Sequence, residues 1–242
     1  MDKLPLKLEN SPVAETTLEI RFKSSFPADA VFGVMFQALQ ENFSSFKLSQ
    51  NQQFIIPPGV NIYQTTHSLI KGNLLIGIGH NVLVFSNRAA YLGWKEFKQF
   101  IDSAIQLIER SNAVKSIERI SLQYINLINT PLAESTNISL SLCNKQKKDD
   151  DIFALQLERK LDDGFTVAFQ LNDNVLVRIN NNDNLKRASI IDIKTVKKYN
   201  TDFGFNRVGI ADVLDKLHSI EKQYFFELLQ DEYIKTLKPI YD

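Results

Sequence analysis

The sequence predicts an α+β protein in which largely antiparallel sheets are packed by three main helices. Runs of β-branched and aromatic residues are separated by short polar turns, which favours antiparallel pairing. Three other segments carry apolar residues at spacings of three and four, which is typical of amphipathic helices. The longest of these segments comes last. We therefore expect two fused lobes with a long C-terminal helix.

The middle of the chain, residues 118–128, predicts a strand that is covered on both faces. Apolar side chains occur at even positions, such as Leu122, and at odd positions, such as Ile125. A strand with both faces buried shows this pattern, because successive side chains point to opposite faces. Buried polar groups need hydrogen-bond partners, so the polar exceptions in this strand are candidate functional residues. These exceptions are Arg119, Tyr124 and Asn126.

The predicted N-terminal lobe comprises residues 1–112 and alternates strands with two helices. Period-two alternation predicts strands, and spacings of three and four predict helices. In order, we expect a strand over 17–23, a helix that begins after Pro27, strands over 62–70 and 73–85, and a helix over 91–109. The polar pair Ser111-Asn112 then marks the predicted lobe boundary.

The predicted C-terminal lobe, residues 113–242, consists of strands followed by the closing helix. Tight hairpins at Asp163-Gly164 and at residues 172–174 would connect the last strands into a meander. The predicted strands cover 115–128, 136–143, 152–160, 164–171, 174–180 and 187–197. A helix over 210–229 and a short helix from Asp231 to Leu237 complete the lobe.

Charge and hydropathy exclude several classes of protein. The 28 basic residues balance 28 acidic residues, so no chain-wide positive field favours nucleic acid, although a local basic patch over residues 186–198 could bind it. The N-terminus has no secretory pattern, and the longest apolar stretch, residues 74–85, is too short to span a bilayer. We expect a cytoplasmic protein that does not bind membranes.

Cysteine and histidine usage argues against metals and cofactors. Cys143 is the only cysteine, so the chain forms no internal disulfide and no thiolate cluster. His67, His80 and His218 fall on separate predicted elements without a second ligand at zinc-site spacing. No glycine-rich loop of the phosphate-binding type is present. We predict no metal and no cofactor.

A weak nuclease-like pattern provides one enzymatic hypothesis. Metal-dependent nucleases of the restriction-like class place an acid and a lysine two residues apart on a strand, with another acid upstream. Asp192 and Lys194 have this spacing, and Asp183 lies upstream. Glu158-Arg159-Lys160, with Asp151 upstream, is a second, similar pattern. The alternative interpretation, which the sequence favours, is the polar face of an amphipathic strand.

The closing helix carries a broad apolar face that has two interpretations. Leu217 and Phe225 lie on it, beside His218. The helix could pack across the protein's own sheet, which is the favoured interpretation, or form a seam that also contacts a partner. The partner would be another protein or a second copy of the chain.

Three segments together resemble a family of sporadically distributed, uncharacterised bacterial proteins of similar length. The opening resembles the pattern P-x-x-E-x-x-L-x-I-R-F through Pro12, Glu15, Leu18, Ile20, Arg21 and Phe22. The central strand resembles R-x-x-L-R-Y-x-N-x-I through Arg119, Leu122, Tyr124, Asn126 and Ile128. The closing helix resembles L-D-x-L-H followed by a distant phenylalanine through Leu214, Asp215, Leu217, His218 and Phe225.

The resemblance covers both ends and the middle of the chain, with two departures. Gln123 stands where the family pattern has a second arginine, and Ile193-Lys194 replaces an acidic repeat after Asp192. The resemblance implies a bacterial cytoplasmic α+β protein without an established activity. The patchy distribution implies accessory genes, including defence or toxin–antitoxin-like loci.

These observations favour a non-enzymatic protein-interaction or regulatory component of such a locus, with a metal-dependent nuclease as the alternative. A third hypothesis is a ligand pocket around Arg21, Arg119 and Tyr124, since buried arginines commonly meet anions. A structural ion pair with Glu15 or Glu118 is the favoured explanation of the arginines. The candidate binding residues are Arg21, Arg119, Tyr124, Asn126, Leu217, His218 and Phe225.

Overall fold

The computed structural model describes residues 4–51, 63–142, 145–146, 152–178 and 185–241. Within these ranges the chain forms a nine-stranded antiparallel sheet and three main helices, which confirms the predicted α+β class. Asp183, Asp151 and Cys143, considered above, lie outside the described residues.

The strands differ widely in length, from 2 residues in β1 to 20 residues in β12. In chain order they are β1 (Lys7–Leu8), β2 (Val13–Ser24), β3 (Lys47–Gln50), β4 (His67–Lys71), β5 (Leu74–Ile78), β6 (Val82–Arg88), β7 (Val114–Ile128), β8 (Ser141–Leu142), β9 (Lys145–Gln146), β10 (Phe153–Lys160), β11 (Phe165–Arg178), β12 (Leu185–Gly204) and β13 (Pro239–Ile240). The helices are α1 (Ala28–Phe43), α2 (Trp94–Arg110), α3 (Leu132–Ser135), α4 (Arg207–Leu228) and α5 (Asp231–Thr236).

The large sheet has the strand order β10-β11-β12-β7-β2-β6-β5-β4-β3. The strand predicted over residues 118–128 belongs to β7, which has neighbours on both sides, as expected for a central strand. The edges are formed by β10 and β3. Two small ladders join β1 to β13 and β8 to β9.

The described chain divides into two compact units that are not continuous in sequence. The first unit draws on Met1–Glu15, Gln123–Thr195 and His218–Asp242, and the second on Thr16–Leu122 and Val196–Leu217. The predicted lobes, residues 1–112 and 113–242, are in contrast continuous segments. The division into those two fused lobes stays a prediction.

The core of the second unit includes α1 and α2, which pack together. Residues at every fourth position of α1, from Val31 to Phe43, are buried, as the spacing of the apolar residues predicts. Phe43, Phe85 and Phe97 each contact Phe100, with ring centroids 5.9 to 6.2 Å apart. Aromatic packing of this kind adds to the burial of apolar area and holds the two helices against the sheet.

The segment predicted as one strand over residues 73–85 forms two strands, β5 and β6. The chain reverses between them, where the N–H of Gly79 donates to the carbonyl of Val82 over 2.8 Å. A Cβ atom on Gly79 would collide with the carbonyl oxygen of Gln64. The prediction of one strand was wrong because Gly79, His80 and Asn81, which interrupt the apolar run, form the connection at which the chain reverses.

In the first unit, β10, β11 and β12 are neighbours in chain order, as the predicted meander requires, but the hairpin predicted at residues 172–174 was wrong. These residues lie inside β11, which pairs with β10 from Phe153 opposite Asp173 to Lys160 opposite Thr166. Asn174 has a φ of 55°, so the backbone departs from regular strand geometry there without reversing. Asn and Asp favour turns because they tolerate a left-handed backbone, and here the same tolerance occurs within a strand.

The remaining first-unit prediction that needs correction concerns residues 136–143. Instead of one strand, the structure has the one-turn helix α3 just before this segment and only Ser141–Leu142 in a strand. The closing helices were predicted well: α4 covers Arg207–Leu228 and α5 covers Asp231–Thr236. Among the described residues, no helix is long and apolar enough to cross a membrane.

Candidate functional site

A cleft of about 530 Å³ in the first unit is lined by residues of β7, β10, β11 and β12. We call it the polar cleft, and its polar lining residues are Gln123, Gln156, Glu158, Gln170, Asp192 and Lys194. Asp192 and Lys194 are two residues apart in β12, so strand periodicity places both on the same face. The sequence predicted this pairing, and the structure adds the residues from the neighbouring strands.

Asp192 is the most enclosed acid of the polar cleft. The side-chain amide of Gln123 donates to both of its carboxylate oxygens, over 2.9 Å to Oδ1 and 2.7 Å to Oδ2. Burial raises the pKa of Asp192, and the hydrogen bond from Gln123 and the charge of Lys194 oppose this effect. Asp192 therefore takes up a proton more readily than a carboxylate in water.

Glu158 completes the charged lining of the polar cleft from β10. It pairs across the strands with Ala168 of β11, and the small Ala168 side chain also lines the cleft. Space is therefore left above Ala168, between the strand of Glu158 and the strand of Asp192. Glu158 and Asp192, which belong to the two separate nuclease-like patterns in the sequence, therefore line the same cleft as Lys194.

Among the described residues, no group of three or more His, Cys, Asp or Glu side chains is placed to hold a metal ion.

The two candidate arginines of the second unit share an acid. Arg21 Nε lies 2.7 Å from Glu19 Oε1, and the Arg119 guanidinium lies 3.7 Å from the same oxygen. The guanidinium of Arg21 also lies 4.0 Å above the ring of Tyr63, a cation–π contact. The phenol of Tyr63 donates to Glu118 over 3.3 Å. Glu19 thus balances charge at the arginines, a pairing that the sequence hypothesis did not include.

Tyr124 and Asn126 make separate contacts in the first unit. The hydroxyl group of Tyr124 lies 3.2 Å from Nδ1 of His218, and the side-chain amide of Asn126 donates to the carbonyl of Ile191 over 3.2 Å. Only 3% of Tyr124 and 1% of Asn126 are exposed to solvent. These three candidate residues therefore connect β7 to α4 and to β12. Tyr124 contacts His218, whereas Arg119 contacts Glu19 and Ser121.

Leu217 and Phe225, the other candidate binding residues, are buried. Their exposed fractions are 0% and 6%, so a partner would reach them only after α4 moved. The accessible surface of this region comes from other residues of α4 and α5 and from both chain ends. The sequence did not indicate this surface, because it depends on the pairing of β1 with β13, which brings Lys7 opposite Ile240.

A groove of about 570 Å³ lies at this junction within the first unit. We call it the terminal groove, and its lining residues are Leu4, Pro5, Ser219, Gln223, Phe226, Glu227, Asp231, Glu232, Ile234, Lys235, Pro239 and Tyr241. The four residues from α4 are spaced by three, four, seven and eight, which places them on one helix face. Leu4 and Tyr241 are 38% and 51% exposed, so the groove presents apolar side chains to solvent.

The sequence was also compared with known proteins. No model of a protein family matches the chain, and no significantly similar sequence was found among curated proteins.

Proposed function

We propose that the protein is a non-enzymatic interaction component that holds a segment of a partner protein in the terminal groove. The observation that supports this proposal is the exposure of Leu4 and Tyr241 at the rim of a groove that also contains Phe226 and Ile234. Exposed apolar side chains that surround a concave surface are typical of sites where a protein segment docks.

Charge favours a basic, amphipathic segment as the occupant of the terminal groove. Glu227, Asp231 and Glu232 line the groove, against one basic residue, Lys235. Lys235 is paired with Glu232 over 2.5 Å, so its charge is already balanced. A segment with apolar residues on one side and Lys or Arg beside them would fill the groove and meet the remaining carboxylates.

The resemblance to sporadically distributed bacterial proteins supplies a biological context for this proposal. A regulatory component of an accessory locus, such as a defence or toxin–antitoxin-like locus, would bind the protein that its neighbouring gene encodes. The chemistry of the terminal groove makes a basic segment of that protein the expected contact.

Site-specific photo-crosslinking tests the proposal. A benzophenone amino acid replaces Gln223 inside the groove, and in a control chain it replaces Val208, which is 73% exposed and outside the groove. We expect a discrete adduct from position 223 only, with a Lys- or Arg-rich cross-linked peptide identified by mass spectrometry. Tyr241→Glu should abolish this adduct. The proposal is wrong if both positions give the same adducts, or if position 223 gives none.

A second candidate function, metal-dependent cleavage of nucleic acid, is supported by the convergence of Asp192, Lys194 and Glu158 in the polar cleft. Two carboxylates would bind magnesium, and the ammonium group would orient the attacking water. The amide of Gln123 would have to give way, since it occupies both oxygens of Asp192.

A cleavage assay tests this second function on single-stranded DNA, double-stranded DNA and RNA with magnesium or manganese. Asp192→Asn should abolish cleavage, and Asp162→Asn, at an exposed acid outside the cleft, should not. Absence of cleavage by the unchanged protein, or equal cleavage by both variants, would exclude the nuclease.

A further inference from the structure

The edge strand β10 turns a regular set of backbone groups away from the sheet. The N–H of Leu161 donates to the carbonyl of Phe165 over 2.8 Å, which identifies this pair as hydrogen-bonded. Bonded pairs alternate along an antiparallel ladder, so Arg159 and Leu157 also bond to β11. The intervening residues direct their N–H and C=O groups to the open edge. These residues are Ala154, Gln156, Glu158 and Lys160.

The protection that edge strands usually have is confined to one end of β10. Leu157 is 49% exposed in the middle of the strand, and Ile152, just before the strand, is 64% exposed. Natural edge strands are commonly shielded by inward-pointing charges, prolines or bulges. Here the register with β11 is continuous over the whole strand, and the charged residues Glu158, Arg159 and Lys160 lie at one end.

We propose that β10 pairs antiparallel with β10 of a second copy of the chain, so that the protein is a dimer with a two-fold axis at Gln156. Antiparallel pairing of identical strands is closed by a two-fold axis, which limits the assembly to two copies. Antiparallel pairing also keeps the charged ends of the two β10 strands apart, because the charged end of each copy lies against the apolar end of the other. A parallel arrangement would place like charges side by side.

The axis at Gln156 gives a register that covers exposed apolar side chains and places no like charges opposite each other. Leu155 of each copy then lies opposite Leu157 of the other, and Phe153 lies opposite Arg159. An axis at Glu158 or at Arg159 would instead place a like charge against itself. Gln156 would face its own copy as a hydrogen-bonded pair, with Cα atoms about 5.5 Å apart.

The pairing would bring two polar clefts together. Gln156 and Glu158 line the polar cleft, and both belong to the strand that forms the dimer contact. Each copy would therefore add residues at the border of the other copy's cleft. A ligand longer than one cleft could then contact both copies.

Light scattering after size-exclusion chromatography tests the dimer. Gln156→Pro removes an N–H that points to the open edge and leaves the bonds to β11 intact, because proline is tolerated where the N–H of an edge strand faces solvent. We expect a dimer for the unchanged protein and a monomer with an unchanged far-UV spectrum for Gln156→Pro. Leu157→Lys should have the same effect and does not depend on the proline being accommodated.

The matched control is Leu48→Lys in β3, at the other edge of the sheet. Leu48 is 50% exposed and Leu157 is 49% exposed, so the two substitutions change similar surfaces. In a chain with Cys143→Ser, Gln156→Cys should form a disulfide between copies, since the expected Cα separation suits one. A monomeric unchanged protein, a dimer that survives both β10 substitutions, or a dimer that Leu48→Lys also dissociates would each overturn the proposal.

Discussion

The hydroxyl group of Tyr124 lies 3.2 Å from Nδ1 of His218, although the two residues are 94 positions apart in the sequence. The contact joins β7 to α4 within the first unit. Both residues belong to the motifs on which the family resemblance is based. Because Tyr124 is almost fully buried, the contact acts in the interior of the protein and fixes where the closing helix lies.

Tyr124→Phe should lower the free energy of unfolding by about 0.5–1.5 kcal/mol, the usual net contribution of one hydrogen bond. The phenyl ring keeps the packing but removes the hydroxyl group that contacts Nδ1 of His218. Urea denaturation measures the change. Tyr241→Phe, at a tyrosine that is 51% exposed, is the control and should have no effect. An unchanged midpoint for Tyr124→Phe would show that the contact adds nothing to stability.

Asp173→Ala should have a larger effect, about 3 kcal/mol or more. Oδ1 of Asp173 accepts from the N–H of Leu132 over 2.9 Å and lies 2.8 Å from Oγ of Ser189, and the residue is fully buried. Alanine removes an acceptor that both groups use. Asp173→Asn keeps an oxygen at this position and should lose less. Equal losses for the two variants would show that the charge, and not the acceptor, determines stability.

The sequence predicted the helices well because helical spacing is a local property. The same local rules were misleading at Asp173, because its side chain binds Leu132 and Ser189, which are distant in the sequence. Asp173 therefore stabilises a strand and not the turn that its residue type predicts. A contact of this kind depends on the completed fold, so no pattern around residue 173 indicates it.

The polar cleft was predictable only in part. Spacing within one strand placed Asp192 and Lys194 together, but the order of strands in a sheet cannot be read from periodicity. The contributions of Gln123 from β7 and Glu158 from β10 follow from that order. The terminal groove was missed for a similar reason, since it requires both ends of the chain to pair.

Two glycines should respond in opposite directions to alanine. Gly79→Ala should destabilise the protein by about 1–3 kcal/mol, because the new Cβ would collide with the backbone of Gln64. Gly33→Ala, inside α1, should stabilise it by about 0.5–1 kcal/mol, because glycine weakens helices and the added Cβ would meet no atom within 4 Å apart from its own helix backbone. Thermal unfolding compares the two variants. A shift of the same sign for both would contradict the turn at Gly79 or the open helix surface at Gly33.

Gln123→Arg should lower the pKa of Asp192. Gln123 already donates to both carboxylate oxygens, and a guanidinium group would add a positive charge at the same place. Arginine is also the residue at this position in the pattern that the central strand resembles. Carboxyl NMR titration measures the pKa, and Gln170→Arg, at another glutamine of the polar cleft, is the control. An equal decrease in both variants would show a general effect of added charge and not a specific pairing.

Glu221 should make the protein less stable as the pH rises. The residue is 5% exposed, and burial raises its pKa from 4.5 to about 8, which the charge of Lys222 only partly opposes. Between these two values the folded protein binds a proton that the unfolded chain releases. The free energy of unfolding therefore decreases as the pH rises from about 4.5 to about 8. Above about pH 8 the contribution of Glu221 to stability has been lost.

Glu221→Gln removes this dependence because the amide does not titrate. Each pKa unit corresponds to about 1.4 kcal/mol, so the variant should gain roughly 2–5 kcal/mol relative to the unchanged protein between about pH 5 and about pH 8. Urea denaturation across this range measures the gain, and Glu227→Gln, at an exposed position of the same helix, is the control. Parallel pH profiles for the unchanged protein and Glu221→Gln would mean that Glu221 is ionised and solvated in the folded state. In that case α4 would have to open at this point and expose a face that also includes Phe225.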